Sequence, residues 1–523
     1  MISRRVAYLF ISAALLIVYA PAIHSGYCGM DDGPMLQWLH RITDWDFFRH
    51  FFPEKGGGLY FRPLLTMTYV YDLFLWDASP LVMHIENILL HLLNSILVFE
   101  LARRLLPLAS RRSSYLPLLA ALLFGLHPLN VESVAWISGR TDLLCATFVF
   151  LSAITTLKFK QIGQFRYLFV AIISLALGFL SKEIAIAFLP GAALILLARN
   201  GDAETKGVRK GLTQAIAVLV TVVAIFFVYY FVRDHAFTSN SSLIGKTLSV
   251  FFNDLYNSLF VILRAFGFYL KKIFLPFPLN FAIVAVDPLY ELLAMPIIGF
   301  CLWLLTRRRM LSAFFLAGIC LITPAFLIAF RYVAWTSYAE RYLYLPLGFV
   351  IPALVCYFGQ RASLLRPPQR KIALVVSILL LIGMGGAVFH RAYVWRSNVR
   401  LFADTSEKSP SVKNVWNAYG AALYRAAEFE KALGCFEKAS SLFGFEYKPV
   451  YDMNHAAVLE KLGREDEAIE LLRAVIQKNP VNKSSVYKRL IPLLEKKIDR
   501  TGIESEQQQL RQEIDSYKAT FEQ

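Results

Sequence analysis

The strongest constraint on how this chain can fold is a series of apolar runs long enough to cross a lipid bilayer. A helix needs about 17 to 25 predominantly apolar residues to span the hydrocarbon core. Such runs fall near 6–23, 81–102, 115–130, 141–157, 167–181, 184–198, 212–232, 289–306, 311–330, 342–360 and 372–389, about eleven in all. In lipid every backbone polar group must be satisfied within its own segment, so each run is expected to be helical. Of the 523 residues 57% are hydrophobic and 18% charged, with a mean hydropathy of +0.50, against roughly 25% charged in a soluble domain. The first run, Val6 to Ile23 behind Ser3-Arg4-Arg5, is as long as a span and lacks a clean small-x-small cleavage site. It reads as an uncleaved first span rather than a signal peptide.

The formal net charge of +16 sits in short clusters between apolar runs rather than on a polar domain. It therefore reads as a topology signal, not a nucleic-acid footprint. The clusters are Arg4 and Arg5; Arg103, Arg104, Arg111 and Arg112; Lys158, Lys160 and Arg166; Arg199, Lys206, Arg209 and Lys210; Arg307 to Arg309; and Arg361, Arg366, Arg370 and Lys371. With eleven spans all six land on one side, which the positive-inside rule makes cytoplasmic. The other side receives 24–80, the connections near 127–142 and 181–184, 233–288, 331–341 and everything after His390. Segment 248–280 and the stretch Phe61 to Trp76 are assigned as interfacial or re-entrant; the second is short and contains Asp72. The six cysteines are scattered without C-x-x-C spacing and imply neither a disulfide framework nor a zinc site.

After Arg400 the composition becomes that of soluble helix and a repeat emerges. Trp416, Gly420, Phe429, Ala432, Phe436 and Ala439 fit the aromatic, small and packing positions of a tetratricopeptide repeat. Ala456, Leu459, Gly463, Ala468, Leu472 and Pro480 form a second copy, with an insertion near Gly444 to Lys448. The fold class expected is all-α: a polytopic membrane bundle over 1–398, with a first external loop at 24–80, then a short solenoid over 399–523. Its repeats lie at about 413–446 and 449–482, with capping helices at 483–523.

Ionisable residues at membrane depth are costly and so are candidates for function. Asp31 and Asp32, in a glycine-flanked turn after the first span, can act as a general base or as hard ligands for a divalent cation; an Asx-turn or helix cap before Pro34 is the plainer reading. His84, Asn87, His91 and Asn94 recur on one helical stripe and must face a bundle interior or a wet cavity. His127, Glu132, Arg140 and Asp142 lie in a polar connection between spans, and Lys182-Glu183 and Glu340-Arg341 in tight turns. Snorkelling interfacial pairs would explain the last two. Yet Arg62, Arg140, Lys182, Arg331 and Arg341 lie on the face that basic residues should avoid, which points to a bound anion.

Taken in order, Asp31-Asp32, Phe61-Arg62-Pro63-Leu64, His84-x-x-Asn87-x-x-x-His91, His127-Pro128 through Glu132, Gly139-Arg140-x-Asp142, Ser181-Lys182-Glu183 and Glu340-Arg341-Tyr342-Leu343-Tyr344-Leu345-Pro346 resemble the membrane O-mannosyltransferases with tetratricopeptide repeats. Those belong to the GT-C class of polyprenyl-phosphate-dependent glycosyltransferases. The short repeat domain departs from the animal members and points to a bacterial relative, in the inner membrane with its repeats outside, whose sugar and acceptor stay open. The resemblance implies a sugar on a polyprenyl phosphate (undecaprenyl or dolichyl), transferred with inversion to a hydroxyl of a protein or glycan. Asp31 or Asp32 would be the base, and a divalent cation at that pair is an option within the class. Arg62, Arg140, Lys182 and Arg341 would hold the phosphate. His84, Asn87, His91 and His127 would line the cavity, with Glu132, Asp142, Glu183 and Glu340 orienting the basic residues. Two other readings are a membrane anchor displaying the repeats to protein partners, and a polyprenyl-lipid transporter; the anchor leaves the polar residues idle, and no repeat of span topology supports the transporter.

Overall fold

The structure, a computed structural model, describes residues 3–46, 50, 61–106, 115–199, part of 216–231, 249–330, 336–362, 364–442, 449–478 and 483–521. The described residues are helical with no strand, and the chain divides into two compact units, Met1–Ser397 and Asn398–Gln523. The fold is all-α. Several sequence features lie outside the described residues: most of the run 212–232, Tyr60, Arg111, Arg112, Lys206, Arg209, Lys210, Arg331, the insertion at 444–448 and Pro480.

Seven described helices of the first unit are long and apolar enough to cross a membrane: Arg4–Ile23, Pro80–Leu105, Ile137–Ile162, Tyr290–Arg307, Met310–Ile328, Glu340–Ala362 and Pro367–Trp395. The chain is a multi-pass membrane protein. Leu116–Gly125 and Pro128–Ala135 form a pair bent by 47°, broken at His127-Pro128, where proline supplies no backbone donor. Phe165–Ser181 and Glu183–Leu197 are shorter apolar helices. Pro63–Trp76 has 14 residues, too few to span. Leu255–Phe274 carries Arg264, Lys271 and Lys272 and is not among the seven.

Lipid gives little hydrophobic drive for helices to associate, so close approach and interhelical hydrogen bonds carry more of the burden. The polar stripe of Pro80–Leu105 supplies them. His84, Asn87, His91 and Asn94 are all buried. The His91 ring nitrogens lie 2.8 Å from Tyr344 Oη and 3.0 Å from the Gly125 carbonyl. Asn94 donates to the Leu143 carbonyl at 2.9 Å and accepts from Thr147 at 2.8 Å. One helix is thereby stitched to three neighbouring elements.

The second unit is a solenoid of helices Asn398–Lys408, Lys413–Arg425, Phe429–Ser441, Pro449–Lys461, Glu465–Gln477, Ser484–Arg500 and Glu504–Phe521. Its internal register is regular. Gly420 and Ala456 are small residues 36 apart (456 − 420), and the same offset relates Phe436 to Leu472 and the left-handed corner residues Ala427 and Gly463, with φ of 60° and 75°. Gly420 is small because a Cβ there would sit 2.8 Å from the Phe436 ring. Gly420→Val should therefore lower the stability of segment 398–523 by about 1–3 kcal/mol, read as a lower urea midpoint; an unchanged midpoint would mean that the two helices do not approach so closely.

Candidate active site

Residues 132–142 run from the bent apolar pair into the next span, and the side chains of Glu132, Trp136, Ser138, Arg140 and Asp142 along them reach partners on other elements. Glu132 binds Arg341, accepting from its guanidinium and, at 3.2 Å, from its backbone N–H. The Arg341 guanidinium also lies over the Trp136 ring at 5.1 Å and the Tyr342 ring at 5.0 Å. Ser138 donates to Asp32 through both its hydroxyl and its backbone N–H. Arg140 donates to Asp72 at 2.6 Å and to Asn87 at 3.1 Å, and pairs with Glu86 at 2.9 Å. Asp142 accepts from Lys182 at 2.6 Å. The chain can fold this tightly because residue 139 is glycine: any Cβ there would run into the Ser133 backbone.

Three of the four candidate phosphate-binding cations come together. Arg62 and Arg341 both lie within electrostatic reach of Lys182. Each is steadied by one carboxylate: Arg62 by Glu183 at 2.9 Å, Lys182 by Asp142 and Arg341 by Glu132. An ammonium has three donors, and among the described residues Lys182 spends one of them, on Asp142. This cluster has donors left for an anion. Glu340 forms a neighbouring pair with Lys272 at 2.7 Å, and accepts from the Asn280 backbone at 2.9 Å.

Arg140, the fourth cation, is placed differently. It is 1% exposed, and its guanidinium is spent on Asp72, Glu86, Asn87 and the Met83 carbonyl. His91 and Asn94 belong to the bundle core, and His127 is the cap of the turn Pro128–Asn130, with its other ring nitrogen 3.3 Å from the Ile273 carbonyl. His84 lies 3.4 Å from the Gly26 carbonyl, in the loop that leads to the acidic pair.

The two aspartates differ. Asp31 is exposed at the start of helix Asp32–Leu39 and makes no side-chain capping bond. Asp32 is fully buried and accepts from the Cys28 backbone at 2.8 Å as well as from Ser138. Burial pushes the Asp32 carboxyl up to about 6, and the Asp31 charge adds to the rise, against the hydrogen bonds from Ser138 and Cys28. With both Asp32 oxygens facing protein donors, the pair is a poor chelate, and among the described residues no three or more His, Cys, Asp or Glu side chains group as metal ligands.

Several partners were not selected by sequence reasoning. Asp72 and Glu86 hold Arg140; the signal for Asp72 was a charge inside an apolar helix. Ser138 and Trp136 gave no signal, since neither is costly to bury. At the end of the last span, Arg391 lies within electrostatic reach of Glu340, and Trp395 packs against Trp136 at 6.4 Å, both rings edge-on to Phe281. The surroundings of Arg341 and Glu340 are thus completed from the end of the last span.

The membrane unit is similar to known proteins. Residues 65–230 match the family model described as dolichyl-phosphate-mannose-protein mannosyltransferase. Over those residues the membrane unit is similar to that family. A Caenorhabditis elegans protein, Protein O-mannosyl-transferase F38B6.6, is 24% identical over 390 residues, covering 72% of this chain and 52% of its own length. Mouse Protein O-mannosyl-transferase TMTC3 is 23% identical over 436 residues, 77% of this chain and 46% of that protein. Human Protein O-mannosyl-transferase TMTC4 is 40% identical over 105 residues, 18% of this chain and 14% of its own. The chain spans about half the length of the first two.

Two outcomes follow from the geometry. Arg140→Met leaves Asp72 buried without its cation, beside a half-buried Glu86, and should cost about 3–5 kcal/mol, seen as a large fall in the thermal unfolding midpoint; adding Asp72→Asn should recover part of it, and no recovery would mean the charge pair is not the cause. For Asp32, a raised folded pKa means that the folded state binds the proton more tightly than the unfolded chain. Its contribution is full below the ordinary carboxylate range and is lost as pH rises to about 6. Relative to Asp32→Asn, the wild type should therefore lose on the order of 2–3 kcal/mol between about pH 4 and 6 and run parallel above that; parallel curves throughout would show that Asp32 is not desolvated.

Proposed function

We propose that this protein is a membrane glycosyltransferase that moves a sugar from a polyprenyl-phosphate donor to a hydroxyl acceptor, a protein Ser/Thr or a glycan, on the extracytoplasmic face. The observation that carries the reading is the cation cluster Arg62, Lys182 and Arg341, held by Glu183 in the turn after Ser181 and by Asp142 and Glu132 on the short connection that also anchors the Asp31-Asp32 loop through Ser138. Such an arrangement suits a phosphate that must depart with its electron pair.

In the step proposed, the acceptor oxygen attacks the anomeric carbon, the bond from that carbon to the phosphate oxygen breaks, and the configuration inverts. The hydroxyl proton passes to a carboxylate. Asp31 is the better base of the two, being exposed, whereas both oxygens of Asp32 already accept hydrogen bonds; Asp32 acts by fixing the loop. The negative charge that grows on the phosphate is met by Lys182 and Arg341, whose preorganised donors need no rearrangement at the moment of reaction. Arg140 positions the connection and does not touch the substrate. The repeat unit is assigned to acceptor selection, since helical repeats present extended binding surfaces, and the setting proposed is the bacterial inner membrane.

Asp31→Asn should lower transfer by about 10²–10⁴-fold, the usual worth of general-base catalysis, with membrane insertion and thermal stability kept. Lys182→Ala should weaken turnover of the same polyprenyl-phosphate sugar. A fully active Asp31→Asn protein would remove Asp31 from the mechanism.

A further inference from the structure

A second feature lies where helices Phe188–Leu197, Tyr290–Arg307 and Met310–Cys320 meet, among the arginines that mark the basic membrane surface. A groove of about 220 Å³ is lined by Leu194, Leu197, Leu304, Leu305, Ala313 and Leu316, and closes at one end on Arg308. The wall formed by Tyr290–Arg307 has Ala294 as its one fully buried residue and exposes Leu292, Met295, Leu302 and Trp303, as a bilayer-facing helix would.

The charge at the closed end is one-sided. Arg199, Arg307, Arg308 and Arg309 are all exposed there, and the Arg199 N–H donates to the Arg308 carbonyl at 2.6 Å, fixing the two segments side by side. Arg308 adopts a left-handed conformation with φ of 48°, and Arg307 folds back over the Trp303 ring at 4.5 Å. Lys160 reaches in from a fourth helix, Arg140–Ile162, to the Leu196 carbonyl at 2.6 Å. Neither wall carries an acidic residue over 188–199 or 304–316. Among the described residues no carboxylate pairs with these arginines, and a slot of leucines ending in guanidinium groups suits an acyl chain joined to a phosphate.

We propose that this groove binds an anionic membrane phospholipid, with one acyl chain between the leucines and the headgroup phosphate against Arg308 and its neighbouring arginines. The site stands apart from the cation cluster of the proposed reaction and does not depend on it. A bound lipid would fill the gap beside a span that few other residues cover.

The test is native mass spectrometry of the full chain released from nanodiscs containing equal parts phosphatidylglycerol and phosphatidylcholine. The wild type should retain phosphatidylglycerol preferentially. Arg308→Gly, which suits the left-handed backbone while removing the guanidinium, should reduce that retention by about five-fold, the worth of one basic residue at an anionic surface. Arg370→Ala, in another basic cluster, should leave it unchanged. Ala313→Phe, which fills the slot and keeps every arginine, should lower retention of both lipids. Equal losses for Arg308→Gly and Arg370→Ala would show diffuse attraction to the basic surface and overturn the site, as would full phosphatidylglycerol retention by Arg308→Gly.

Discussion

A guanidinium that is 1% exposed inside an apolar bundle is tolerable only when its charge and its donors are met on every side, and Arg140 meets that condition with Asp72, Glu86, Asn87 and a carbonyl. Taking these charges out of water costs several kcal/mol each, so the cluster is weak as a source of net stability. Its value is in geometry. With Arg140 fixed, residues 132–142 have little freedom, and the side chains on either side of it are presented in set directions: Glu132 and Trp136 to Arg341, Ser138 to Asp32, Asp142 to Lys182. Asp32, Lys182 and Arg341 are each placed by a side chain of that connection.

The same arrangement separates two kinds of buried charge. Around Arg140 the carboxylates outnumber the cation, and nothing further negative can be taken in. Around Lys182 each cation is oriented by a carboxylate, and among the described residues the Lys182 ammonium spends one of its three donors. A cluster held slightly short of saturation can accept an anion without first breaking a structural pair, because the carboxylates orient the cations without exhausting them. The exposed Asp31 and the buried Asp32 divide in a parallel way, one open to chemistry and the other occupied in holding the loop.

The solenoid follows different physics. Its helices pair through apolar residues such as Leu423, Phe436, Leu459 and Leu472 in the ordinary hydrophobic manner, whereas the membrane unit relies on close approach and on hydrogen bonds such as those of His91 and Asn94. Each unit is built for the solvent that its composition implies.

The sequence by itself determined the all-α class, the membrane character, the position of the compositional break near residue 398 and the identity of most ionisable groups. These are local properties: run length, period and the rarity of charge in apolar segments can be read without knowing what touches what. It also placed His84, Asn87, His91 and Asn94 on one stripe, because helical spacing is fixed. Only the tertiary structure decided what each group does. Arg62, Lys182, Arg140 and Arg341 look alike in sequence, but partners from other helices make Arg140 a buried strut and bring the other three together. Trp395 and Arg391 joined the site only through packing at the end of the last span. Side-chain pairing depends on three-dimensional neighbours, and no pattern along the chain encodes which cation finds two carboxylates and which finds one.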